Sequence, residues 1–352
     1  MARRRAEQRA VPDSPIGELT TEERDAVQPA AHRIDGRKIF VAALVAALLA
    51  LPLLGRNLHA YNYVIHLLFV TFMWIAMSSS WNIIGGFTGY ISLGHNVFFA
   101  IGAYLSGALL VYSNLNPFLT APLAGLATLA VGLAVGLITL RTRGPSFIIS
   151  TIALLLAIRI GFDNWTLIGG ANGLSLPLPP FPPELGRLPF YYGMFLTAAG
   201  AVYLSYRVQR SKFGLGLRAI SQDETKAEVA GINTRLYKIL AFALSAFFVG
   251  VAGSLWGYSL TYLRPTVFLS IGIAADMVLI AILGGRGTVA GPILGSVLVV
   301  AFNEFSVVQF GSTELNIAVT GGLLLVVLLF FTEGVVGTLR EHNRLPRILD
   351  WD

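Results

Sequence analysis

Residues 207–238 read RVQRSKFGLGLRAISQDETKAEVAGINTRLYK, a polar and strongly basic island between stretches apolar for long enough to cross a bilayer. A hydrocarbon core roughly 30 Å thick demands about 17 to 25 apolar residues of a helix. Such runs fall at 39–55, 62–84, 90–112, 118–140, 145–162, 189–206, 239–262, 268–284, 289–308 and 315–332. The sequence therefore predicts an all-α, polytopic membrane protein with about ten transmembrane helices. A barrel does not fit, because its strands alternate apolar and polar residues, whereas VAALVAALLALPLL (41–54) and LLLVVLLFF (323–331) are apolar all round. Composition agrees: 55% of residues are apolar and 12% charged, where charged residues approach about a quarter of a soluble chain.

The net charge of +6 invites a nucleic-acid reading, and its distribution argues against one. With the spans threaded alternately from a cytoplasmic N-terminus, eight Lys and Arg lie in residues 1–38 and seven in the island. Arg141, Arg143, Arg286 and three residues after 332 join them, so 21 of the 25 share one side. Arg56, Arg187 and Arg264 fall on the other, and Arg159 near the end of a span. That asymmetry is the positive-inside signature and predicts both termini in the cytoplasm. The tail 1–38 balances eight basic against seven acidic residues with few apolar ones, and reads as disordered ahead of an uncleaved first span. Residues 39–332 form the transmembrane domain in this reading, and 333–352 a second cytoplasmic tail. Cysteine is absent, which excludes disulfides and thiolate metal sites.

Three connections are more than chain reversals. In the island, Ser221-Gln222-Asp223-Glu224 fits a capping box, with the serine side chain taking a free amide and the glutamate reaching back. Gly231 stands at the left-handed position where helices stop. Together they predict a helix of about nine residues, too short to be stable alone in water. Asp223, Ala227 and Ala230 share one face, and the two alanines leave room for close approach by another protein. The same helix would equally serve as a capped loop lying on its own membrane domain. The connection 163–188, outside in this topology, is Gly-rich and then Pro-rich, and reads as an ordered external loop or as a spacer. Gly284-Gly285-Arg286-Gly287-Thr288 must reverse the chain tightly, and Ile83-Ile84-Gly85-Gly86 faintly echoes it. Small residues inside the spans, as in GLATLAVGLAVG (125–136) and Gly250, Gly253 and Gly257, predict close helix packing.

No nucleotide-binding loop exists, since none of Lys38, Lys212, Lys226 and Lys238 has the required glycines, so ATP hydrolysis by this chain alone is excluded. Neither H-E-x-x-H nor G-x-S-x-G occurs, and the five histidines have no metal spacing. Catalytic and metal-ligating residues are thus not expected. Intramembrane polar groups are the better lead. Asp276 sits near the middle of its span, where a carboxylate costs about 2.5–3.5 kcal/mol unless it pairs, neutralises or meets water. Asn303 and Glu304 follow in the next span, with Glu304 nearer the outer surface. Ser92, His95 and Asn96 lie at the cytoplasmic end of the third span. These six residues are the candidate translocation path, or else structural polar pairs.

Gly89-Tyr90-Ile91-Ser92-Leu93-Gly94-His95 and Phe98-Phe99-Ala100-Ile101-Gly102-Ala103-Tyr104 closely resemble the signature of the LivM-type permeases of branched-chain amino acid ABC importers. Similar motifs follow in order: Gly169-Gly170-Ala171-Asn172-Gly173-Leu174; Gly214 to Ile220 with Asp223-Glu224 and Ala230-Gly231-Ile232-Asn233; Lys238 with Ala241-Phe242; and Leu283 to Thr288 with Gly291-Pro292. The match runs from about residue 80 to 310, without the N-terminal tail. The resemblance implies a permease subunit of the bacterial inner membrane that pairs with a homologous LivH-like subunit, two cytoplasmic ATPase subunits and a periplasmic or lipid-anchored solute-binding protein. ATP would be bound by the partners, with no cofactor in this chain. Ser221, Asp223, Glu224, Ala227, Ala230 and Gly231 would form the ATPase-coupling loop, comparable to the E-A-A…G segment of importer permeases, although Thr225-Lys226 replaces its two alanines. Trp165, Gly169, Gly170 and Asn172 would meet the binding protein. An ion-coupled secondary transporter or channel, with Asp276 or Glu304 carrying the ion, is the alternative.

Overall fold

A computed structural model describes residues 36–54, 61–181, 187–311, 321–322, 325 and 334–341. The chain divides into two compact units, residues 1–46 and 47–352. The described residues of the first, 36–46, are helical. The second holds the helix bundle. In chain order the helices are α1 (Gly36–Leu54), α2 (Tyr61–Gly85), α3 (Asn96–Ser113), α4 (Pro117–Thr139), α5 (Pro145–Asn164), α6 (Leu188–Gln209), α7 (Lys212–Gln222) and α8 (Glu224–Val229). They continue with α9 (Thr234–Leu260), α10 (Pro265–Phe268), α11 (Ile271–Gly285), α12 (Ala290–Phe310) and α13 (Gly334–Glu341).

Among the described residues, seven helical stretches are long and apolar enough to cross a membrane: α2, α3, α4, α5, α9, Pro265–Gly285 and Ala290–Gln309. The predicted spans at 39–55 and 189–206 coincide with α1 and α6, which are not among the seven. The apolar part of α1 is only Phe40–Leu53, and α6 carries Tyr191, Tyr192, Tyr203, Tyr206 and Arg207. The Tyr191 and Tyr192 hydroxyls donate to the Leu48 and Leu49 carbonyls at 2.8 and 3.0 Å. The predicted tenth span and the N-terminal tail lie almost wholly outside the described residues, whereas part of the predicted C-terminal tail forms α13, which packs against α11 and α12.

Helix boundaries follow local chemistry. Pro117 and Pro145 occupy first turns, where a missing N–H costs nothing. Asn116, Ser211, Asn233 and Ser270 cap α4, α7, α9 and α11 through their side chains. The third span departs from expectation. Its helix starts at Asn96, and residues 86–95 are non-helical. That backbone is held by side chains: Trp81 Nε1 donates to the Ser92 carbonyl at 2.8 Å, and the Leu93 N–H donates to Thr151 Oγ1 at 3.1 Å. Irregular backbone within a bundle needs such partners. The eighth span is also broken, at Leu269 and Ser270 between α10 and α11.

The long central helix α9 packs against α2, α3, α4 and α6. Its glycines let backbones touch: a Cβ on Gly102 of α3 would collide with the Gly250 carbonyl oxygen of α9. On one end of the bundle, the two glycine turns clasp each other. Asn82 bonds Gly287 N and the Thr288 carbonyl at 2.9 and 2.8 Å, and Arg286 Nε donates to the Gly85 carbonyl at 2.9 Å. At the opposite end a two-stranded antiparallel pairing joins β1 (Leu174–Ser175) to β2 (Tyr262–Leu263), in register Leu174 with Leu263.

Candidate functional site

The island folds as two capped helices, not one. Ser221 lies within α7 rather than acting as a cap, and the N-cap of α8 is Asp223, whose Oδ1 accepts from Thr225 N at 3.0 Å and Lys226 N at 3.1 Å. Those bonds hold the Asp223 carboxyl below the ordinary carboxylate range, the Lys226 amide contributing most. At the other end Ile232 N bonds the Ala227 carbonyl and Gly231 N the Glu228 carbonyl, both at 3.0 Å, with Gly231 at φ +87°. This pair of bonds is a Schellman stop, as the position of Gly231 implied.

Glu224 does not reach back to Ser221, because cations from elsewhere in the fold claim its carboxylate. Lys238 Nζ lies 2.6 Å from Oε1, Arg143 Nε lies 3.4 Å from it, and the Tyr90 hydroxyl donates to Oε2. Lys238 also reaches the Tyr90 oxygen at 3.0 Å, while Arg143 Nη2 and Thr234 Oγ1 bind Glu228 Oε1 at 2.9 and 2.7 Å. Burial alone would raise the Glu224 pKa; the bonds from Lys238 and Tyr90 and the charge of Arg143 outweigh it, and the carboxyl stays below its ordinary value. The same surroundings push the Tyr90 phenol up, burial first and the Glu224 carboxylate second. A short helix is thereby tied to the α2–α3 connector, the α4–α5 turn and the start of α9.

The expected docking face is split by this arrangement. Ala227 is 3% exposed and packs on its own chain, whereas Ala230 and Gly231 are exposed. The apolar side chain α8 offers outward is Val229, 86% exposed, beside the exposed Thr225, Lys226 and Glu228. Ser221 borders an open hollow of about 450 Å³ beneath the island, with Tyr90, Arg143, Ile220, Glu224 and Arg286.

The six path candidates separate into two groups. Asp276, Asn303 and Glu304 line one cavity of about 110 Å³ with Tyr63, His66 and Trp74 of α2. Ser92, His95 and Asn96 are fully buried and do not line it. His95 Nδ1 lies 2.9 Å from Ser92 Oγ and Nε2 2.7 Å from Ser245 Oγ, with Phe242 edge-on at 4.9 Å. His95 is therefore a satisfied packing residue. Asn96 Nδ2 donates to the Ser270 carbonyl at 2.7 Å, linking the α2–α3 connector to the break ahead of α11.

The loop after α5 is ordered over its first half. Two short 3₁₀ turns, Thr166–Ile168 and Gly170–Asn172, lead into β1. Gly170 is buried as turn backbone, while Trp165 and Asn172 stand exposed, and the Tyr262 hydroxyl donates to the Asn172 carbonyl. Residues 182–186 lie outside the described residues. Sequence reading missed Arg143, whose partners are distant in the chain, Thr234, whose partners Glu224 and Glu228 lie in the preceding helix, and Tyr63 and His66, which no motif marks.

The family described as branched-chain amino acid transport system, permease component, matches residues 63–328. The high-affinity branched-chain amino acid transport system permease protein LivM of Escherichia coli K12 is 28% identical over 344 residues, covering 89% of this chain and 79% of that one. BraD of Pseudomonas aeruginosa, a permease protein of the same description, is 32% identical over 134 residues, 38% of this chain and 43% of BraD. LivH of Salmonella typhimurium, likewise so described, is 27% identical over 176 residues, 50% of this chain and 54% of LivH. No solved structure matches the chain.

Proposed function

We propose that this chain, which belongs to the branched-chain amino acid transport system permease family, is the membrane subunit of an ATP-binding-cassette importer for branched-chain or other amino acids. It is a multi-pass transport subunit and not an enzyme. In the full reading ten spans cross the bacterial inner membrane with both termini in the cytoplasm. A LivH-like subunit pairs with it, two ATPase subunits bind ATP on the cytoplasmic side, and a periplasmic or lipid-anchored binding protein delivers the solute near Trp165 and Asn172. Charge distribution supports that orientation, with the island, Arg141, Arg143 and Arg286 together on one side.

The observation that carries the reading is the bracing of α8. A solitary six-residue helix is marginal in water, yet here one glutamate joins it to three other elements through Lys238, Tyr90 and Arg143. A docking element that receives force needs such attachment. ATP-driven movement of α8 would pass through Tyr90 into the α2–α3 connector and on to Asn96, the first residue of α3, which holds the Ser270 carbonyl. Ser270 caps α11, and α11 carries Asp276. The Asp276, Asn303 and Glu304 cavity is then this subunit's share of the solute route.

The test is uptake in proteoliposomes containing both permease subunits, the ATPases and the binding protein. ATP-dependent accumulation of leucine, lost when the ATPases are omitted, is expected. Uptake without ATPase subunits, driven by a proton or sodium gradient, would overturn the reading.

A further inference from the structure

On the other side of His66 from the acidic cavity lies a second one, of about 310 Å³, between the outer ends of α2, α6 and α9. His66 lines both; Ile65 and Phe69 face the second, while Tyr63, Leu67, Val70 and Trp74 face the first. The walls of the second are aromatic. Phe69 stacks on Trp256 with centroids 5.6 Å apart, and Phe190 meets Phe69 edge-on at 6.3 Å. Among the described residues that line it, the one permanently charged group is Arg187. Arg187 Nη1 donates to the Asn62 carbonyl at 2.7 Å, and among the described residues no carboxylate pairs with it. A guanidinium has five N–H donors in a planar fork that matches a carboxylate.

We propose that this cavity is an outer binding site for a zwitterionic aliphatic amino acid, with Arg187 taking the α-carboxylate and Phe69, Phe190 and Trp256 the side chain. The ammonium group is then directed past His66 toward Asp276 and Glu304. A mostly apolar pocket with one fixed polar group selects in this way for both the apolar side chain and the charged end. The two cavities are opposite in charge, as the two ends of the solute are. The proposal rests on the import reading for its biological sense, but its test needs neither ATP nor the partner subunits.

Because the chain has no cysteine, Ser259→Cys introduces a single thiol into the cavity wall. Among the described residues Ser259 Oγ bonds only the Trp256 carbonyl of its own helix, at 2.7 Å, so the change is mild. Maleimide labelling of the full-length variant in lipid nanodiscs is measured with leucine, with isoamylamine, which lacks the carboxylate, and with isocaproate, which lacks the ammonium group. With leucine at about ten times its dissociation constant, labelling should slow about tenfold by mass action. Isoamylamine should not protect, isocaproate should protect at higher concentration, and adding Arg187→Gln should abolish protection by leucine. A thiol that resists labelling throughout, labelling unaffected by leucine, protection by isoamylamine equal to that by leucine, or protection that survives Arg187→Gln would each overturn the site. None of these outcomes bears on whether the chain serves an ATP-driven importer, which the uptake experiment decides.

Discussion

At the scale of single residues, Glu224 decides how the island is held. Its side chain is 13% exposed and that of Lys238 only 3%. Removing one partner of a buried pair leaves an uncompensated charge and costs about 3–5 kcal/mol. Lys238→Ala is therefore expected to lower stability by roughly that amount in thermal unfolding, while Glu224→Gln with Lys238→Met should recover much of it. The carboxyl also sets a pH dependence. Its folded pKa lies below the ordinary 4.5, so its stabilisation is complete above that value and is lost as pH falls through the lower folded one. Amide protection of residues 224–229 in hydrogen exchange should hold from neutrality to about 4.5 and decline below it. In Glu224→Gln the decline should shrink to the part set by the Asp223 cap, whose carboxyl also lies below its ordinary value. The sequence could not disclose this pairing: Tyr90 stands 134 positions away from Glu224. Read locally, Ser221 and Asp223 are equally good caps two residues apart, and only the distant cations that draw Glu224 away decide between them. Asp276 and Glu304 were legible for the opposite reason, since a charge in an apolar run needs no partner to be conspicuous.

At the scale of elements, α8 is the proposed docking helix and Val229 its most exposed apolar side chain, at 86%. Val229→Asp should reduce ATP-driven uptake at least about tenfold, equivalent to roughly 1.4 kcal/mol of lost coupling, with the unfolding temperature unchanged. Unaltered uptake would remove α8 as the docking element. Ala227, which spacing alone assigned to the docking face, faces inward because Glu224 fixes the rotation of the helix. Most other elements were readable. Proline at first turns, Asn and Ser caps and the small-residue stripe of α9 mark helices and their contacts locally. The connector 86–95 was not readable. Its apolar residues extend the third span by composition, and what prevents a helix is tertiary: Trp81 and Thr151 take the backbone groups that a helix would have used.

At the scale of the molecule, two sets of contacts gather the helix ends into opposite faces. One face joins the α2–α3 connector, the α4–α5 turn, α8 and the start of α9 through Glu224 and Glu228. The other joins the start of α2 to Arg187, the end of α3 to Leu167 and β1 to β2. Alternate threading of this kind is what the charge count along the sequence assumed, and it leaves one question of orientation. The most direct measurement uses Val229→Cys in the otherwise cysteine-free chain, expressed with its partners in intact cells and in inverted vesicles. The expected result is labelling by an impermeant maleimide only in inverted vesicles, together with a disulfide cross-link to a single cysteine in the ATPase groove. Labelling of that introduced thiol from outside intact cells would contradict the assignment of α8 as the ATPase handle and the import mechanism built on it.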